Sequence, residues 1–515
     1  MELSKSICII GVTAILVIYA GRILNWLWFK PKKTQKYLEE QGLKGTSYKF
    51  LFGDLKELSE MMKEAKSKPM SLCHDIAPSV SPFFHKIIST QGKNCFTWIG
   101  TKPMVHVSEP TMIREVLNNY QQFQKVRGGN PLSKFLVKGL FDVETDQWVK
   151  HRKIINPAFH MEKLKHMLPA FDVSCSEMIN NWEKLMPTKD SCEVDVWPYL
   201  QKFSADVISR TAFGSSFEEG RKIFELQREQ SELVLNIVNS IYIPGSRFLP
   251  TKINRRVKEI HRKVRSLITN IINKRVAAMK AGETSNDDLL DILLDSNNKE
   301  IKQHGNKKFG LSIDEVIEEC KLFYFAGQET TANLLVWTMI LLGLNTEWQT
   351  QAREEVLRLF GDKKPNIDGL SHLKVMNMIF NEVLRLYPPI VSQRRMVHKE
   401  TKFGNLTIPA GTLIQVNTMI LHHDKETWGE DVNEFKPERF SEGVSKVTKG
   451  ATYLPFGGGP RICIGQNFAM LEAKLALSMI LQRFSFELSP SYSHAPQTIP
   501  TLQPLYGAHL ILHKL

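Results

Sequence analysis

The sequence predicts a mainly α-helical protein with small β-sheets, an α+β fold class, preceded by one transmembrane helix. Three features of the chain support this prediction. A predominantly apolar run fills residues 7–29, a basic amphipathic pattern extends over residues 257–279, and a long apolar segment follows Ser312. Apolar residues that recur every three or four positions indicate helices, and the strand-like stretches in the remainder are few and short.

The N-terminal apolar run is long enough to cross a bilayer as a helix. Arg22 lies near its far end, where the side chain can reach the headgroups, and Trp26 and Trp28 suit the interfacial belt. A cleaved signal peptide is the alternative. The run is longer than a signal peptide requires, and no small-residue cleavage site follows it. We therefore expect a transmembrane helix at about residues 7–29.

Lysines flank this helix unequally. Lys5 alone precedes it, whereas four lysines follow it at once: Lys30, Lys32, Lys33 and Lys36. Because basic residues stay on the cytosolic side of a membrane, the remainder of the chain should face the cytosol. We expect residues 1–30 to form a membrane anchor and residues 31–515 to form one cytosolic domain.

The longest helix of this domain should begin at Ser312. Ser312 and Glu315 have the spacing of a capping box, and Leu311 and Val316 are placed as a hydrophobic staple. The helical pattern continues to about Asn345. It is apolar nearly all round, which predicts a buried helix.

The stretch between the two long helices is polar. A break at residues 281–286 should end the amphipathic helix, and the Lys-rich residues 297–309 should form a loop. No internal repeat or low-complexity tract interrupts the domain.

The composition excludes several classes of protein. The seven cysteines are scattered and form no C-x-x-C pair, which argues against a zinc ribbon and a disulfide-rich secreted protein. The net charge of +13 arises from basic residues spread along the chain, so no nucleic-acid partner is expected. A solvated basic surface, a docking face for an acidic protein and contact with anionic lipid headgroups remain open.

The strongest chemical signal is the glycine-rich segment 456–465. A lone cysteine beside such a turn is commonly a buried structural residue, and burial raises the pKa of a free thiol. A ferric ion would remove that difficulty by binding the thiolate directly. The segment matches the haem-binding signature F-x-x-G-x-R-x-C-x-G at five positions: Phe456, Gly459, Arg461, Cys463 and Gly465. The chain therefore resembles the cytochrome P450 family.

This resemblance implies a role for each residue of the segment. Cys463 would be the metal ligand, bound to the iron of haem b. The glycines, Gly465 among them, would let the backbone approach the macrocycle and turn its N–H groups toward the sulfur. Arg461 would pair with a haem propionate, and Phe456 would complete the cofactor-binding loop.

A second resemblance lies on the long helix. Residues 326–331, Ala-Gly-Gln-Glu-Thr-Thr, look like the oxygen-activation motif of the family. In that motif Gly327 would loosen the helix at the iron, while Glu329 and Thr330 would be catalytic residues that pass protons to dioxygen. Taken alone, the same residues could form a helix kink stabilised by threonine hydroxyls.

A third resemblance concerns an ion-pair triad. Glu382 and Arg385 have the E-x-x-R spacing of the family, and Arg439 lies in the later loop that completes the triad. The spacing of three places the glutamate and its arginine on one helical face. We assign these residues a structural role in the fold and the haem pocket, not a role in bond chemistry.

Further cofactor-binding residues follow from the same resemblance. Residues 148–152 look like the W-x-x-x-R helix, whose Trp148 and Arg152 would reach a propionate. Arg395 lies where the family has another propionate ligand. The adjacent Arg394 competes for that position.

The likeness covers the chain from about residue 35 to its end. It is greatest to the plant branch that includes secologanin synthase and oleanane triterpene oxidases, over residues 323–331, 455–482 and 484–490. The resemblance implies a monooxygenase that uses O₂ and two electrons to hydroxylate a small lipophilic substrate. That substrate would be a plant specialised metabolite or hormone of the terpenoid class, such as a triterpenoid, iridoid or diterpenoid.

The source of electrons should be another protein. The chain contains no P-loop and no G-x-G-x-x-G after a strand, so it should not bind NADPH itself. NADPH-cytochrome P450 reductase would supply the electrons at the endoplasmic reticulum membrane, docking on a basic face near Cys463. The candidate docking residues are Lys150, Lys153, Lys446 and Lys449.

Other functions compatible with these motifs remain. An isomerase, a dehydratase or a C–C bond-cleaving oxidase acting on an oxygenated terpenoid could share the fold, and a non-catalytic haem- or steroid-binding membrane adaptor is a remote alternative. Intact Glu329 and Thr330 argue against an isomerase, which has less need of a proton relay to dioxygen. The pocket walls should come from variable segments, including residues 123–135, Phe325 and residues 390–391.

Overall fold

A computed structural model describes residues 2–126, 130–136, 138–187, 190–238, 242, 245–282, 288–447 and 452–515. Within this part of the chain helices dominate and small sheets lie beside them, which confirms the predicted fold class. The helices are α1 (Glu2–Leu24), α2 (Lys30–Glu40), α3 (Leu55–Lys66), α4 (Ala77–Val80), α5 (Pro82–Gln91), α6 (Pro110–Asn118), α7 (Thr145–Ile155), α8 (Met161–Lys184), α9 (Trp197–Phe213), α10 (Phe217–Val238), α11 (Lys252–Ala281), α12 (Leu289–His304), α13 (Ile313–Leu344), α14 (Thr346–Phe360), α15 (Ile367–Ser371), α16 (Lys374–Leu386), α17 (Thr418–His422), α18 (Lys425–Trp428), α19 (Val444–Val447) and α20 (Gln466–Arg483).

The strands are short. They are β1 (Lys44–Gly45), β2 (Cys95–Ile99), β3 (Lys102–Val107), β4 (Phe123–Gln124), β5 (Ser191–Asp195), β6 (Gln393–Val397), β7 (Thr401–Phe403), β8 (Leu406–Ile408), β9 (Leu413–Val416), β10 (Phe484–Leu488), β11 (Pro496–Thr498), β12 (Leu502–Pro504) and β13 (His509–Lys514). The largest sheet has the order β1-β2-β3-β9-β6-β4 and holds its own apolar cluster. In it β6 runs antiparallel to β9, with Arg395 opposite Ile414.

The N-terminal helical run over residues 5–40 is, within the described ranges, the stretch long and apolar enough to cross a membrane. Its large apolar side chains from Ile7 to Ile18 are each at least 55 % exposed. Helix faces of soluble domains rarely leave so much contiguous apolar surface in water. The exposure therefore fits a helix surrounded by lipid.

The start of the globular domain is packed against the end of this run. A π-helical turn, Asn25–Phe29, joins α1 to α2. The Tyr48 hydroxyl donates a hydrogen bond of 2.6 Å to the carbonyl oxygen of Leu27. In α2, Pro31 and Leu38 are buried. The boundary expected at residue 30 thus falls within a helical run whose last turns already contact the domain.

The long helix α13 begins as predicted. The Ser312 side chain accepts a hydrogen bond from the backbone N–H of Glu315, and the Glu315 carboxylate accepts one from the N–H of Ser312. Leu311 and Val316 are both buried. The helix ends at Leu344 and packs against α9, α11, α16 and α20, so it is the centre of the helical core.

The loop predicted at residues 297–309 is wrong. α12 continues to His304, and residues 307–309 form a separate 3₁₀ turn. Tertiary bonds hold the polar end of α12 in a helix: the side chain of Asn297 bonds to both backbone groups of Leu311, and Glu300 pairs with Lys153 at 2.8 Å. A sequence period cannot reveal such contacts. The break expected at 281–286 begins at the left-handed Gly282, and residues 283–287 lie outside the described ranges.

Candidate active site

The loop before α20 is shaped by glycines and presents Cys463. The N–H of Cys463 donates to the carbonyl oxygen of Phe456 at 2.9 Å, which closes the loop. Gly459 has a φ of +65°, and a Cβ atom there would collide with the carbonyl oxygen of Leu117. Only glycine combines this backbone conformation with this close approach. The sequence motif thus has a local structural cause.

The thiol of Cys463 has surroundings unlike those of the structural cysteines. Cys463 is exposed, whereas Cys95, Cys175 and Cys320 are buried. Desolvation by the nearby protein raises the pKa of the Cys463 thiol, while the N–H of Gly465 and the charge of nearby Arg152 lower it. A thiol that is open on one side and close to a cation is suited to bind a metal as the thiolate.

Helix α7 holds Arg152 against the cysteine loop. Its Nη1 donates a hydrogen bond of 2.9 Å to the carbonyl oxygen of Ile462, the residue before Cys463. Trp148 lies one turn earlier and is buried. The two residues of the W-x-x-x-R helix therefore lie beside the loop that carries the expected ligand.

Arg461 is also directed inward. Its Nη2 lies 2.7 Å from the Glu144 carboxylate, and its guanidinium carbon lies 4.9 Å from the centre of the Trp148 ring. The two charged side chains are 5 % and 1 % exposed. The sequence analysis did not identify Glu144, because nothing in its local sequence indicates a partner more than three hundred residues away.

Positive charges accumulate beside this pair. Burial and the charge of Arg461 lower the pKa of Arg395 to about 10. Burial, with the charges of Arg395 and Arg461, lowers the pKa of Lys125 to about 7. Glu144 and the nearby Asp142 offset only part of this repulsion. The cluster fits a ligand that brings carboxylates, and the two propionates of a haem meet that requirement.

Arg395, not Arg394, belongs to this cluster. Neighbouring residues of a strand point to opposite faces of the sheet. Arg394 Nε donates a hydrogen bond of 2.7 Å to the side chain of Gln415, and its charge lowers the pKa of His106. The alternation of β6 therefore separates the two candidates that the sequence left open.

Helix α13 has one open face in an otherwise buried length. Ala326 is exposed, and Leu322 and Thr330 are partly exposed, at a spacing of four that places them on one side of the helix. The Thr330 hydroxyl donates to the carbonyl oxygen of Ala326 at 2.8 Å. This open face is defined here as residues 322, 326 and 330.

Gly327 and Glu329 differ from what the motif suggests. α13 is continuous through Gly327, where a Cβ atom would lie 2.8 Å from the Ile208 side chain, so close packing on α9 explains the glycine here. The Glu329 carboxylate is buried and accepts a hydrogen bond of 3.2 Å from the Thr501 hydroxyl. Burial raises its pKa. Glu329 and Thr330 thus face different surroundings.

A second buried carboxyl group joins α13 to α20. The Ser204 hydroxyl lies 2.8 Å from Glu472 Oε1 and 3.2 Å from the carbonyl oxygen of Gly327. Burial raises the pKa of Glu472 to about 8. A protonated Glu472 can donate to Ser204, which leaves the hydroxyl free to donate to Gly327. The bridge joins the backbone of α13 at Gly327 to α20, the helix that follows Cys463, and no sequence motif identified it.

The structure brings the three triad residues together. Arg385 makes two hydrogen bonds of 2.7 Å to the Glu382 carboxylate, and Arg439 Nε lies 3.4 Å from it. Arg385 also donates to the carbonyl oxygens of His422 and Val432. Glu382 and Arg385 are fully buried. These bonds tie α16 to the segment that leads into the cysteine loop.

Several expected pocket residues have other contacts. Phe123 is buried with its ring centre 5.3 Å from that of Phe403, in the core of the large sheet, so it does not line the pocket. Phe135 stacks on His261 at 4.3 Å. Phe325 is partly exposed beside Ala326, and Ile390 is 44 % exposed. Residues 127–129 of the expected wall lie outside the described ranges.

The candidate docking lysines also differ from one another. Lys150 is half-buried and bonds to Glu315 and to the carbonyl oxygen of Gly310. Lys153 pairs with Glu300 at 2.8 Å. Lys446 is exposed, and Lys449 lies outside the described residues.

Comparisons with known proteins agree with this site. The family model described as Cytochrome P450 matches residues 77–509. Cytochrome P450 CYP72A219 of Panax ginseng is 60 % identical, over 100 % of this chain and 99 % of its own. The 7-deoxyloganic acid hydroxylase of Catharanthus roseus is 53 % identical over 100 % of both chains. Secologanin synthase 1 of the same plant is 52 % identical over 98 % of this chain and 96 % of its own.

A solved structure shares the fold. Retinoic acid-bound cyanobacterial CYP120A1 superposes with a TM-score of 0.75 and 23 % sequence identity, over 92 % of this chain and 99 % of that one. The chain belongs to the cytochrome P450 family of haem-dependent monooxygenases, and the relatives described above at 52–60 % identity are plant members of that family.

Proposed function

We propose that this P450 hydroxylates a lipophilic plant terpenoid with Cys463 as the thiolate ligand of its haem. The observation that carries the proposal is an exposed Cys463 in a glycine-shaped loop whose neighbouring carbonyl is held by Arg152. A haem supplies the activation of dioxygen and the attack on a C–H bond. The residues of the chain hold that group, exclude water and position protons.

The cofactor contacts divide between two parts of the site. Cys463 binds the metal, and Arg152 keeps the preceding carbonyl in place. Lys125, Arg395 and Arg461 carry the positive charge that binds the propionates. The propionates in turn offset the positive charge that Glu144 alone leaves uncompensated. Burial and mutual repulsion lower the pKa values of Lys125 and Arg395, and pairing with carboxylates offsets both effects.

We assign proton delivery to the open face of α13. Thr330 offers a hydroxyl on the open face of α13, where it can accept a proton from one neighbour and donate to another. Burial raises the pKa of Glu329, and it raises that of Glu472 to about 8, so Glu472 can hold a proton near neutral pH. We assign Thr330 the final transfer and Glu329 the role of an internal donor.

The substrate class follows from the relatives and from the composition of the open face of α13. Two relatives that match essentially the whole chain are named for 7-deoxyloganic acid and for secologanin. The open face of α13 presents apolar Leu322 and Ala326 beside the single hydroxyl of Thr330. Such a surface favours an apolar skeleton with few polar groups. We therefore assign a terpenoid: an iridoid, a triterpenoid or a diterpenoid.

Electrons and location complete the proposal. NADPH-cytochrome P450 reductase supplies two electrons from NADPH, and the N-terminal helix anchors both the site and its apolar substrate at the endoplasmic reticulum membrane. The exposed apolar helix over residues 5–40 and the net charge of +13 support this assignment. A basic surface favours encounter with an acidic flavoprotein domain.

The proposal is tested by feeding a panel of iridoids, triterpenes and gibberellins to membranes that contain the full chain and the reductase. We expect a hydroxylated product that requires NADPH and carries one oxygen atom from ¹⁸O₂. Product that forms without NADPH and O₂ would instead support an isomerase or a dehydratase. Binding spectra without any turnover across the panel would contradict the assignment of a terpenoid substrate.

A further inference from the structure

A buried histidine connects the helix of Arg152 to the long helix α13. His151 is 1 % exposed, although it lies beside Arg152 on α7. Its Nδ1 lies 2.5 Å from Glu319 Oε1, and its Nε2 lies 3.2 Å from Glu315 Oε1. Each ring nitrogen therefore lies within hydrogen-bond distance of a carboxyl oxygen, so the ring is held from both sides. The chain thus places one ring between two acidic groups on successive turns of α13.

Glu319 also forms a hydrogen bond with a third segment of the chain. Its Oε2 accepts a hydrogen bond of 3.1 Å from the N–H of Leu140. Gly139 has a φ of +64°, and a Cβ atom there would lie 2.7 Å from the same oxygen. Burial raises the pKa of this carboxyl group, and contact with His151 lowers it. A single carboxyl group therefore joins α7, the 139–141 turn and α13.

Both elements that meet α13 at this point also contact the cysteine loop. Arg152 follows His151 directly and bonds to the carbonyl oxygen of Ile462 at 2.9 Å. Glu144, just beyond the 139–141 turn, pairs with Arg461 at 2.7 Å. A shift of α7 along α13 would move Arg152 away from the backbone next to Cys463. The charge of Arg152 is one of the groups that favour the thiolate.

We propose that His151 is a positioning residue: its bridge to Glu319 and Glu315 fixes Arg152 at the cysteine loop and so preserves thiolate ligation of the haem. This inference rests on haem ligation by Cys463. Neither relatives nor motif assign a role to this histidine.

The test compares full-length holoprotein carrying His151→Phe, His151→Asn or His151→Gln. Phe keeps the ring volume and removes both hydrogen bonds. The Asn amide can replace Nδ1 toward Glu319, and the Gln amide can replace Nε2 toward Glu315. Gln147→Ala is the matched control, since Gln147 lies on the same helix and bonds to the same Glu315 carboxylate at 3.2 Å from the exposed side.

The readout is the rate at which the Soret band of the dithionite-reduced, CO-bound protein, normalised to haem content, is lost over time. The thermal midpoint is measured as well. We expect His151→Phe to retain haem but to lose the red-shifted thiolate band about tenfold faster than the unsubstituted protein. His151→Asn should decay close to the unsubstituted rate, His151→Gln between the two, and Gln147→Ala at the unsubstituted rate. The Asn–Gln order follows from the shorter, more deeply buried contact to Glu319.

The outcomes separate this inference from the proposed function. Equal decay of the thiolate band in all four variants and the unsubstituted protein would overturn the role of His151. So would a loss of thermal midpoint in His151→Phe with no change in the normalised band. If His151→Phe yields no holoprotein, the Asn–Gln order decides, and its reversal or absence rejects the bridge. Absence of a thiolate band in the unsubstituted protein would instead contradict ligation by Cys463.

Discussion

Thr330 is the residue at which the local geometry bears most directly on turnover. Its hydroxyl lies on the open face of α13 and bonds to the carbonyl oxygen of Ala326. Thr338 makes the same bond to a carbonyl four residues earlier, at 2.7 Å, but is fully buried. Substituting Thr338 measures the effect of losing a buried helix hydroxyl, and substituting Thr330 measures the effect of losing one on the open face.

We expect Thr330→Ala to keep haem and the thiolate band while product formed per NADPH falls by about tenfold or more, because proton delivery is impaired. Thr338→Ala should leave that ratio unchanged. NADPH consumption, peroxide and product are measured in the same reductase-coupled assay. A fully coupled Thr330→Ala enzyme would remove Thr330 from the proton path.

Glu472 predicts a distinct dependence of stability on pH. Its pKa in the folded protein is about 8, raised from 4.5 by burial. Between these values the unfolded chain has released a proton that the folded chain keeps, so stability falls as pH rises, by about 1.4 kcal/mol per unit from this group. Glu472→Gln should remove this slope. Thermal midpoints of both proteins at pH 5.5 and pH 7.5 measure it, and parallel curves would contradict the raised pKa.

Among the elements, α16 depends on a buried ion pair. Glu382 is the partner of Arg385, and both are fully buried. Removing one member of a buried pair leaves an uncompensated charge, which costs about 3–5 kcal/mol. We expect Glu382→Ala to accumulate little holoprotein and to lower the thermal midpoint.

The matched control for this substitution is an exposed pair. Lys425 and Glu430 lie 3.0 Å apart, with side chains 61 % and 90 % exposed. Such pairs contribute about 0–1 kcal/mol, so Glu430→Ala should have the midpoint and haem content of the unsubstituted protein. Equal effects of Glu382→Ala and Glu430→Ala would show that the triad does not support the haem pocket.

The elements also show which structural signals are local. The start of α13 was predictable because Ser312 and Glu315, which form the capping box, lie within four consecutive residues of the sequence. The end of α12 was not, because Asn297 and Glu300 are kept helical by partners on other elements. Strand alternation in β6 places Arg394 and Arg395 on opposite faces of the sheet, and the sequence does not reveal that register.

The candidate site divides in the same way. Cys463 and its glycines were recognisable because they lie within one short loop. That loop must pass close to neighbouring backbone and also present the expected metal ligand. Three other features depend on contacts between distant segments: the pairing of Glu144 with Arg461, the place of Lys125 in the positive cluster, and the bridge formed by His151 and Glu319. Each of these residues is a common one in an unremarkable local sequence. Packing alone makes it part of the site.

At the scale of the whole molecule, the anchor and the domain share one helical run. Deletion of residues 2–24 should release the protein from alkali-extracted membranes and leave the thiolate band, because Leu27 keeps its bond to Tyr48. Deletion of residues 2–40 should also lower the thermal midpoint, since it removes the fully buried Leu38. Fractionation and thermal melts of both proteins measure this. Retention of the shorter deletion in extracted membranes would contradict a single anchor.

The CO-difference spectrum of the reduced full-length protein tests the assignment of Cys463 most directly. Cys175 is the matched control, because it is a fully buried cysteine on α8 whose thiol contacts the carbonyl oxygen of Ala476. We expect the unsubstituted protein and Cys175→Ala to give the red-shifted Soret band of thiolate-bound haem, and Cys463→Ala to lack it. A Cys463→Ala protein that keeps this band would contradict the account.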